Sequence, residues 1–396
     1  MRGSLPRGFR DILPTEAREL HAIERSLMTT FARHGYVPLE PPTVEFADGT
    51  ITVDERRTLR FLDRDGRLLA LRPDVTTAVA RVVAQRYREA GAALRLAYFT
   101  PIFREEASMG GSEREYDQAG VELIGDPSVR ADAEVIALLV DALAQSGLPG
   151  IDVDIGHAGY VEGFIAELPI EAREKVGSAW RGGDLVGTMS LARAAGMPAR
   201  RIAALERGLR HRAIDLRGPR VDAPAASCDA LDALETLAPL LDAAGVGEVR
   251  FDLGFVPALP YYTGIVFQIT VPDLGFPIAN GGRYDGLLAR FGADRPATGF
   301  GIAIPHLHRA LVAAGWQAPS DSPLLILEPH ENDATTLRVA SALRSAGIAV
   351  AIGEVAEHAG QDVRRARIVD DARLEYDGAV RAIDAVVALL SGQAAR

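Results

Sequence analysis

The chain has 396 residues, a formal net charge of −11, 48% hydrophobic and 24% charged residues, and one cysteine, Cys228. That length exceeds one ordinary hydrophobic core and predicts two or three domains of globular composition, and the acidity argues against a large basic groove for nucleic acid. The lone cysteine excludes an internal disulfide and a Cys-rich zinc site, no apolar run approaches the roughly 18 residues of a membrane span, and the opening MRGSLPRGFRDILP lacks a signal peptide's apolar stretch, so a reducing cytoplasm is the expected setting.

In chain order, residues 15–34 carry apolar positions at helical spacing and stop at Gly35, which predicts a helix. YVPLEPPTVEFA is extended and broken by prolines that suit an edge strand. FLDRDGRLLALR reads as a hairpin around Asp65-Gly66, a dipeptide that supplies positive φ. DVTTAVARVVAQRYREA is an amphipathic helix, LRLAYFTPIFRE and YDQAGVELIG are strands, ADAEVIALLVDALAQSG is an apolar helix, and GIDVDIGH is another strand. From about 160 to 245 alanine, arginine and leucine dominate and β-branched runs vanish, which reads as a helical insertion. Strand character returns at VRFDLGF, IVFQITV and FPIANGGRYDG, and ATGFGIAIPHLHRALVAAG runs from strand into helix. WQAPSDSP (316–323) is a linker candidate. Beyond it LLILEP, a helix over 334–346, IAVAIGEV and a helix near 378–391 make a small α/β unit. Hairpins followed by helices, with few βαβ crossovers in the first part, favour an α+β fold with helices packed on an antiparallel sheet.

Several chemistries are excluded. No Gly-x-x-x-x-Gly-Lys-Ser/Thr loop occurs, and Lys175, the sole lysine, is poorly placed for a phosphate; GGDLVG (182–187) lacks the Rossmann spacing; no His-Glu-x-x-His or nucleophile elbow is present. His157, His306 and His308 read as surface or packing residues. What remains is a set of polar residues on strand ends: Asp74 and Thr76 where a hairpin turns into a helix; Arg104, Glu105 and Glu106; Gln118 and Glu122, four apart on one strand and so on one face; Tyr261 and Tyr262; and Arg283 and Tyr284. Taken singly, each reads as a solvated strand end or a satisfied hydrogen-bonding pair.

Taken in order, LRPDVT (71–76), FREE (103–106), YDQAGVELIG (116–125), YYTGIVF (261–267) and NGGRYDGLL…GFGIAI (280–304) resemble the class II histidyl-tRNA synthetases, over about residues 5–312. The resemblance implies a class II core at 1–318: a six-stranded antiparallel sheet flanked by helices, with a helical insertion at about 160–245 and self-dimerisation through the first helix and the following strand. It also implies that 322–396 is a reduced remnant of the anticodon-binding domain. In such a core Asp74, Thr76 and Gln118 would face a substrate ammonium, Glu122 and Tyr262 would read an imidazole, Arg104 would meet the substrate carboxylate, and Tyr261 and Tyr284 would complete the histidine-binding set. A carboxylate beside an imidazole N–H accepts its hydrogen bond and favours the protonated ring. Asp74 stands where the family has the longer Glu.

The nucleotide side departs from the family. The segment before the tyrosine pair, PALP, has Pro257 at the family's carboxylate-polarising arginine and Pro260 at its aspartate. The loop after Arg104 reads ASMGGS, with Ala107 and Ser112 in place of two ATP-clamping arginines, and the last motif ends AIPH, with His306 at an arginine. Charge-assisted hydrogen bonds contribute about 1.5–3 kcal/mol each, so losing three or four forfeits roughly 5–10 kcal/mol, on the order of a thousand- to ten-million-fold. The expectation is therefore a chain that holds histidine and cannot activate it, with no catalytic residue, cofactor or metal. That pattern is similar to the regulatory-subunit paralogues of ATP phosphoribosyltransferase. They act with a short-form catalytic subunit in a hetero-octamer, support its activity and confer feedback inhibition by histidine. The alternatives are a working histidyl-tRNA synthetase and a binding-only paralogue that touches tRNA.

Overall fold

The computed structural model describes residues 4–47, 58–89, 91–104, 113–213, 215–255, 259–272, 274–319, 323–354 and 362–391. They form two units, Ile23–Trp316 with Met1–Asp11 and Gln317–Arg396 with Ile12–Ala22.

The first helix, Pro14–Arg33, starts on a proline, whose fixed φ and missing N–H suit that position. It buries Ile23, Leu27 and Phe31, one residue per turn on one stripe, and Phe31 meets the ring of Phe300 edge-on at 5.7 Å. It ends where Gly35 takes φ +82°, with Gly35 N–H on the Ala32 carbonyl and Tyr36 N–H on that of Phe31.

The main sheet runs, edge to edge, Val37–Pro38, Leu94–Phe103, Glu115–Ile124, Ala297–Ala303, Ala279–Arg283, Ile265–Thr270, Asp152–His157 and Val249–Phe251. It corrects the expectation of a six-stranded antiparallel sheet: there are eight strands and the sheet is mixed. The inner six pair antiparallel, and one short strand joins parallel at each edge. At one edge Pro38 lacks the N–H to extend the ladder. At the other, the chain leaves Asp152–His157, passes through the helical insertion and returns alongside it, which brings Val249–Phe251 in parallel.

Between those two strands lie six helices, Ala158–Ala166, Ile170–Arg181, Leu185–Ala194, Ala199–Leu209, Arg217–Arg220 and Ala225–Ala243, packed around Tyr160, Phe164, Trp180, Leu205 and Leu234. A separate three-stranded sheet pairs Leu68–Leu71 with both Val44–Phe46 and Arg60–Leu62. Its turn spans five residues rather than the two of a tight turn. The Asp63 carboxylate accepts the N–H groups of Asp65 and Arg67, and only Gly66 takes positive φ.

Directly opposed residues of antiparallel strands share a face. The pairs Val121–Phe300 and Ala119–Ile302 set one face of the main sheet, buried under helices that include Val129–Gln145 and Ile304–Ala313. Arg283 is on this side. Its guanidinium donates to both oxygens of buried Asp132 at 2.9–3.1 Å and to the carbonyls of Asp126 and Ser128. Its place in the motif is therefore structural. Burial outweighs Arg283 and raises the Asp132 carboxyl to about 6, still ionised at neutral pH.

The second unit has a five-stranded sheet, in the order Ala349–Ile352, Leu324–Glu328, Val363–Asp370, Arg373–Tyr376 and Ala379–Ala382, with helices Asp333–Ser345 and Ile383–Leu390. The last three strands exceed the strand-helix-strand reading of the sequence. They include 379–382, where the closing helix was expected to begin. Asp377 and Gly378 both take positive φ, +53° and +71°, as a two-residue hairpin turn demands.

Removing one partner of a buried ion pair leaves an uncompensated charge, at a cost of about 3–5 kcal/mol. Asp132→Ala should lower unfolding stability by that amount in urea titrations, and Asp132→Asn by less.

Candidate functional site

The opposite face of the main sheet carries Tyr98, Gln118, Gly120, Glu122, Gly299 and Gly301. Glu122 is 1% exposed and lies flat on the sheet, because the neighbouring strand presents glycine. A Cβ on Gly299 would sit 2.0 Å from Glu122 Oε2, and one on Gly301 would sit 2.7 Å from Gln118 Nε2. The strand alternates Thr298 and Phe300 toward the helices with Gly299 and Gly301 toward the site.

Above this floor stands the turn into helix Thr76–Arg86. The Asp74 carboxylate accepts the Thr77 N–H at 2.8 Å and the Thr77 hydroxyl at 3.2 Å, so it fixes the helix start. Arg72 anchors the turn from below. Fully buried, it donates Nε to the Pro101 carbonyl at 2.8 Å, Nη1 to that of Pro41 at 2.5 Å and Nη2 to the Thr100 hydroxyl. Burial lowers its pKa.

Tyr261, Tyr262 and Tyr284 close the third side. The Tyr261 ring is 5.0 Å from that of Tyr262 and 5.6 Å from that of Tyr284. The Tyr284 hydroxyl donates to Glu122 Oε2 in a short hydrogen bond. Glu122 Oε1 is buried and has no hydrogen-bond partner among the described residues. Burial raises the Glu122 carboxyl to about 8; hydrogen bonding from Tyr284 and the neighbouring Thr76 hydroxyl opposes this, and the Asp74 charge adds to it. Burial likewise pushes up Tyr98, Tyr261, Tyr262 and Tyr284.

Of the residues singled out from the sequence, Asp74, Thr76, Glu122, Tyr261, Tyr262 and Tyr284 come together here. Arg104 donates to the Pro73 carbonyl and its charge reaches Tyr262. Gln118 shares the face but lies roughly 13 Å along the strand from Glu122, four residues at about 3.3 Å each. Glu105, Glu106, Ala107, Ser112 and Pro257 lie outside the described residues. The sequence reading missed Arg72 and Tyr98. Tyr98 opposes Gly120 across the strand pair and so falls on the site face, a consequence of register that spacing alone does not reveal.

His306 serves packing. Its Nδ1–H donates to the Pro277 carbonyl at 2.9 Å, and its ring lies 4.3 Å from Phe276. Pro260 is exposed at the entrance. No group of three or more His, Cys, Asp or Glu residues with metal-binding geometry occurs among the described residues. The arrangement suits a compact ligand with a flat ring whose polar atom meets Oε1 of Glu122.

Comparisons with known proteins bear on this geometry. The family model for histidyl-tRNA synthetase matches residues 8–307. ATP phosphoribosyltransferase regulatory subunits are similar at 39% identity in Moorella thermoacetica, over 88% of this chain and 91% of that protein, and at 37% in Rubrobacter xylanophilus, over 87% and 83%. The chain belongs to the regulatory-subunit branch of the histidyl-tRNA synthetase family. A crystal structure described as an ATP phosphoribosyltransferase regulatory subunit/histidyl-tRNA synthetase from Bacillus halodurans superposes with a TM-score of 0.80 at 30% identity, covering 93% of this chain and 99% of the other. The class II fold is thus shared across the family. Among the described residues no helix is long and apolar enough to cross a membrane.

A carboxyl whose folded pKa is raised from 4.5 to about 8 holds a proton that the unfolded chain has lost, so its contribution to stability is full below pH 4.5 and is lost as pH rises toward 8. Glu122→Gln should remove that loss. Melting temperatures at pH 5, 6, 7 and 8 should fall less steeply for the variant than for the parent, and parallel curves would show that Glu122 ionises freely in the fold.

Proposed function

We propose that this chain is a non-catalytic regulatory subunit of ATP phosphoribosyltransferase. It binds histidine over the Glu122 face and acts with a short-form catalytic subunit in a hetero-octamer, with a self-dimer through the class II core. Near-full-length similarity to relatives of that name is the observation that carries the reading. The site supports it. A buried carboxyl, a tyrosine hydroxyl and phenol rings packed tilted and edge-on suit an imidazole, while His306 is occupied with Phe276 and Pro277 instead of gripping a phosphate. Electrostatic stabilisation is usually the largest catalytic term in reactions at phosphate, and the sequence at 107, 112, 257 and 306 offers no arginine for it.

The physical basis of control is linkage. Histidine shifts the assembly only by its differential affinity for an inhibited arrangement, with coupling of about 1–3 kcal/mol typical.

Reconstitution tests this. The purified chain mixed with a short-form phosphoribosyltransferase should restore activity and make it sensitive to histidine. Glu122→Gln should raise the half-inhibitory histidine concentration by ~10–100-fold, the worth of one charge-assisted hydrogen bond, without loss of assembly. Full sensitivity in the variant would move the histidine site elsewhere, and histidine-dependent ATP–pyrophosphate exchange by the chain alone would restore the synthetase reading.

A further inference from the structure

We propose that Glu122 meets its ligand as a carboxylic acid and passes its proton to the ligand's ring, so that the pocket selects a ring by its basicity. This deepens, and rests on, the reading of the Glu122 face as the histidine pocket.

The geometry carries the inference. The carboxyl is 1% exposed, one oxygen takes the Tyr284 hydroxyl, and the other has no hydrogen bond among the described residues. The Gly299 strand lies directly beneath, so the group sits at a fixed depth. The groups whose charge or hydrogen bonding couples to it come from every surrounding element. They are Asp74 and Thr76 from the helix start, Tyr98 from the adjacent strand, Tyr261 and Tyr262 from the entrance, Tyr284 from the far strand's end, and Tyr36. They are a carboxylate, an alcohol and phenols; none is a cation. Arg104 acts on Tyr262. An ionised carboxylate in such a setting is a buried, uncompensated charge, and such groups neutralise instead. The rise to about 8 agrees.

The step balances simply. A neutral imidazole brings a lone pair on one ring nitrogen. The O–H bond of Glu122 breaks, its electron pair stays on the carboxylate, and an N–H bond forms on the ring. The net charge of the pocket is unchanged. The product is an imidazolium–carboxylate pair out of water, roughly twice as strong as a neutral hydrogen bond. A ring too weakly basic to take the proton gains only the neutral contact.

The pH dependence follows. Between the ring's own pKa of about 6.5 and that of the empty carboxyl, binding exchanges no proton with solvent and affinity is level. Above about 8 the complex must draw one proton from solvent, and below about 6.5 it must release one, so affinity falls ~tenfold per pH unit on either side.

Titration calorimetry of the full chain from pH 5.5 to 9, with histidine and with its 1,2,4-triazole analogue, tests the proposal. The analogue shares the α-ammonium and carboxylate, so the ratio of affinities isolates the ring. Expected are a plateau with falling limbs, heats on the plateau independent of buffer ionisation enthalpy, and binding of the analogue weaker by at least ~tenfold at pH 7. In Glu122→Gln that gap should close to within ~threefold. Histidine bound with a flat profile, or the analogue bound equally well by the parent chain, overturns the proton transfer alone. No histidine binding at any pH overturns it together with the pocket reading.

Discussion

The site depends on how closely Glu122 can lie against the sheet. A side chain on a strand normally stands away from the pleat, held up by the Cβ atoms beside it. Here the opposing position is Gly299, and a Cβ there would come within 2.0 Å of the Glu122 carboxylate. Lying flat, the carboxyl is covered by Tyr284 and drawn out of water, and its raised pKa follows from that burial. The same strand sends Thr298 and Phe300 to the helices on the other side, so one alternation packs the core and leaves room for Glu122 on the opposite face.

The turn at Arg72–Thr77 is the second fixed element. Arg72 spends its guanidinium on two carbonyls and a hydroxyl, and Asp74 ties the helix start to itself through Thr77. Side chains from separated stretches of the sequence therefore meet over one patch of sheet. Charge-assisted hydrogen bonds to backbone acceptors do that positioning.

Much of this was legible in the sequence. The helix over 14–33, the long strands around 94–103 and 115–124 and the helical insertion all follow from periodicity and punctuation, because long regular segments leave a strong pattern. Pairing was harder. Val37–Pro38 and Val249–Phe251 are too short to announce their partners, and their parallel addition depends on where long connections return. Val363–Asp370 was missed because arginines at 364, 365 and 367 mask its alternation, although the Asp377-Gly378 turn was there to be read. In the site, the same-face relation of Gln118 and Glu122 follows from strand parity. The contributions of Tyr98 and Arg72 depend on register and burial, which a motif does not encode.

A buried acid with no counter-ion among the described residues works against folding at neutral pH, since keeping its proton costs the protein whatever the unfolded chain gains by losing it. A fold that filled the same space with apolar atoms would be more stable. Under the proposed reading, the cost is offset when a ligand supplies a ring that can take the proton and present a charged N–H to the carboxylate. Such binding would convert local destabilisation into a strong interaction, with the free energy recovered specific to one class of ligand. Regulation requires such a difference, because a ligand that stabilises two arrangements equally shifts neither. An apolar pocket of the same shape could bind a ring, but it would discriminate poorly between imidazole and its isosteres.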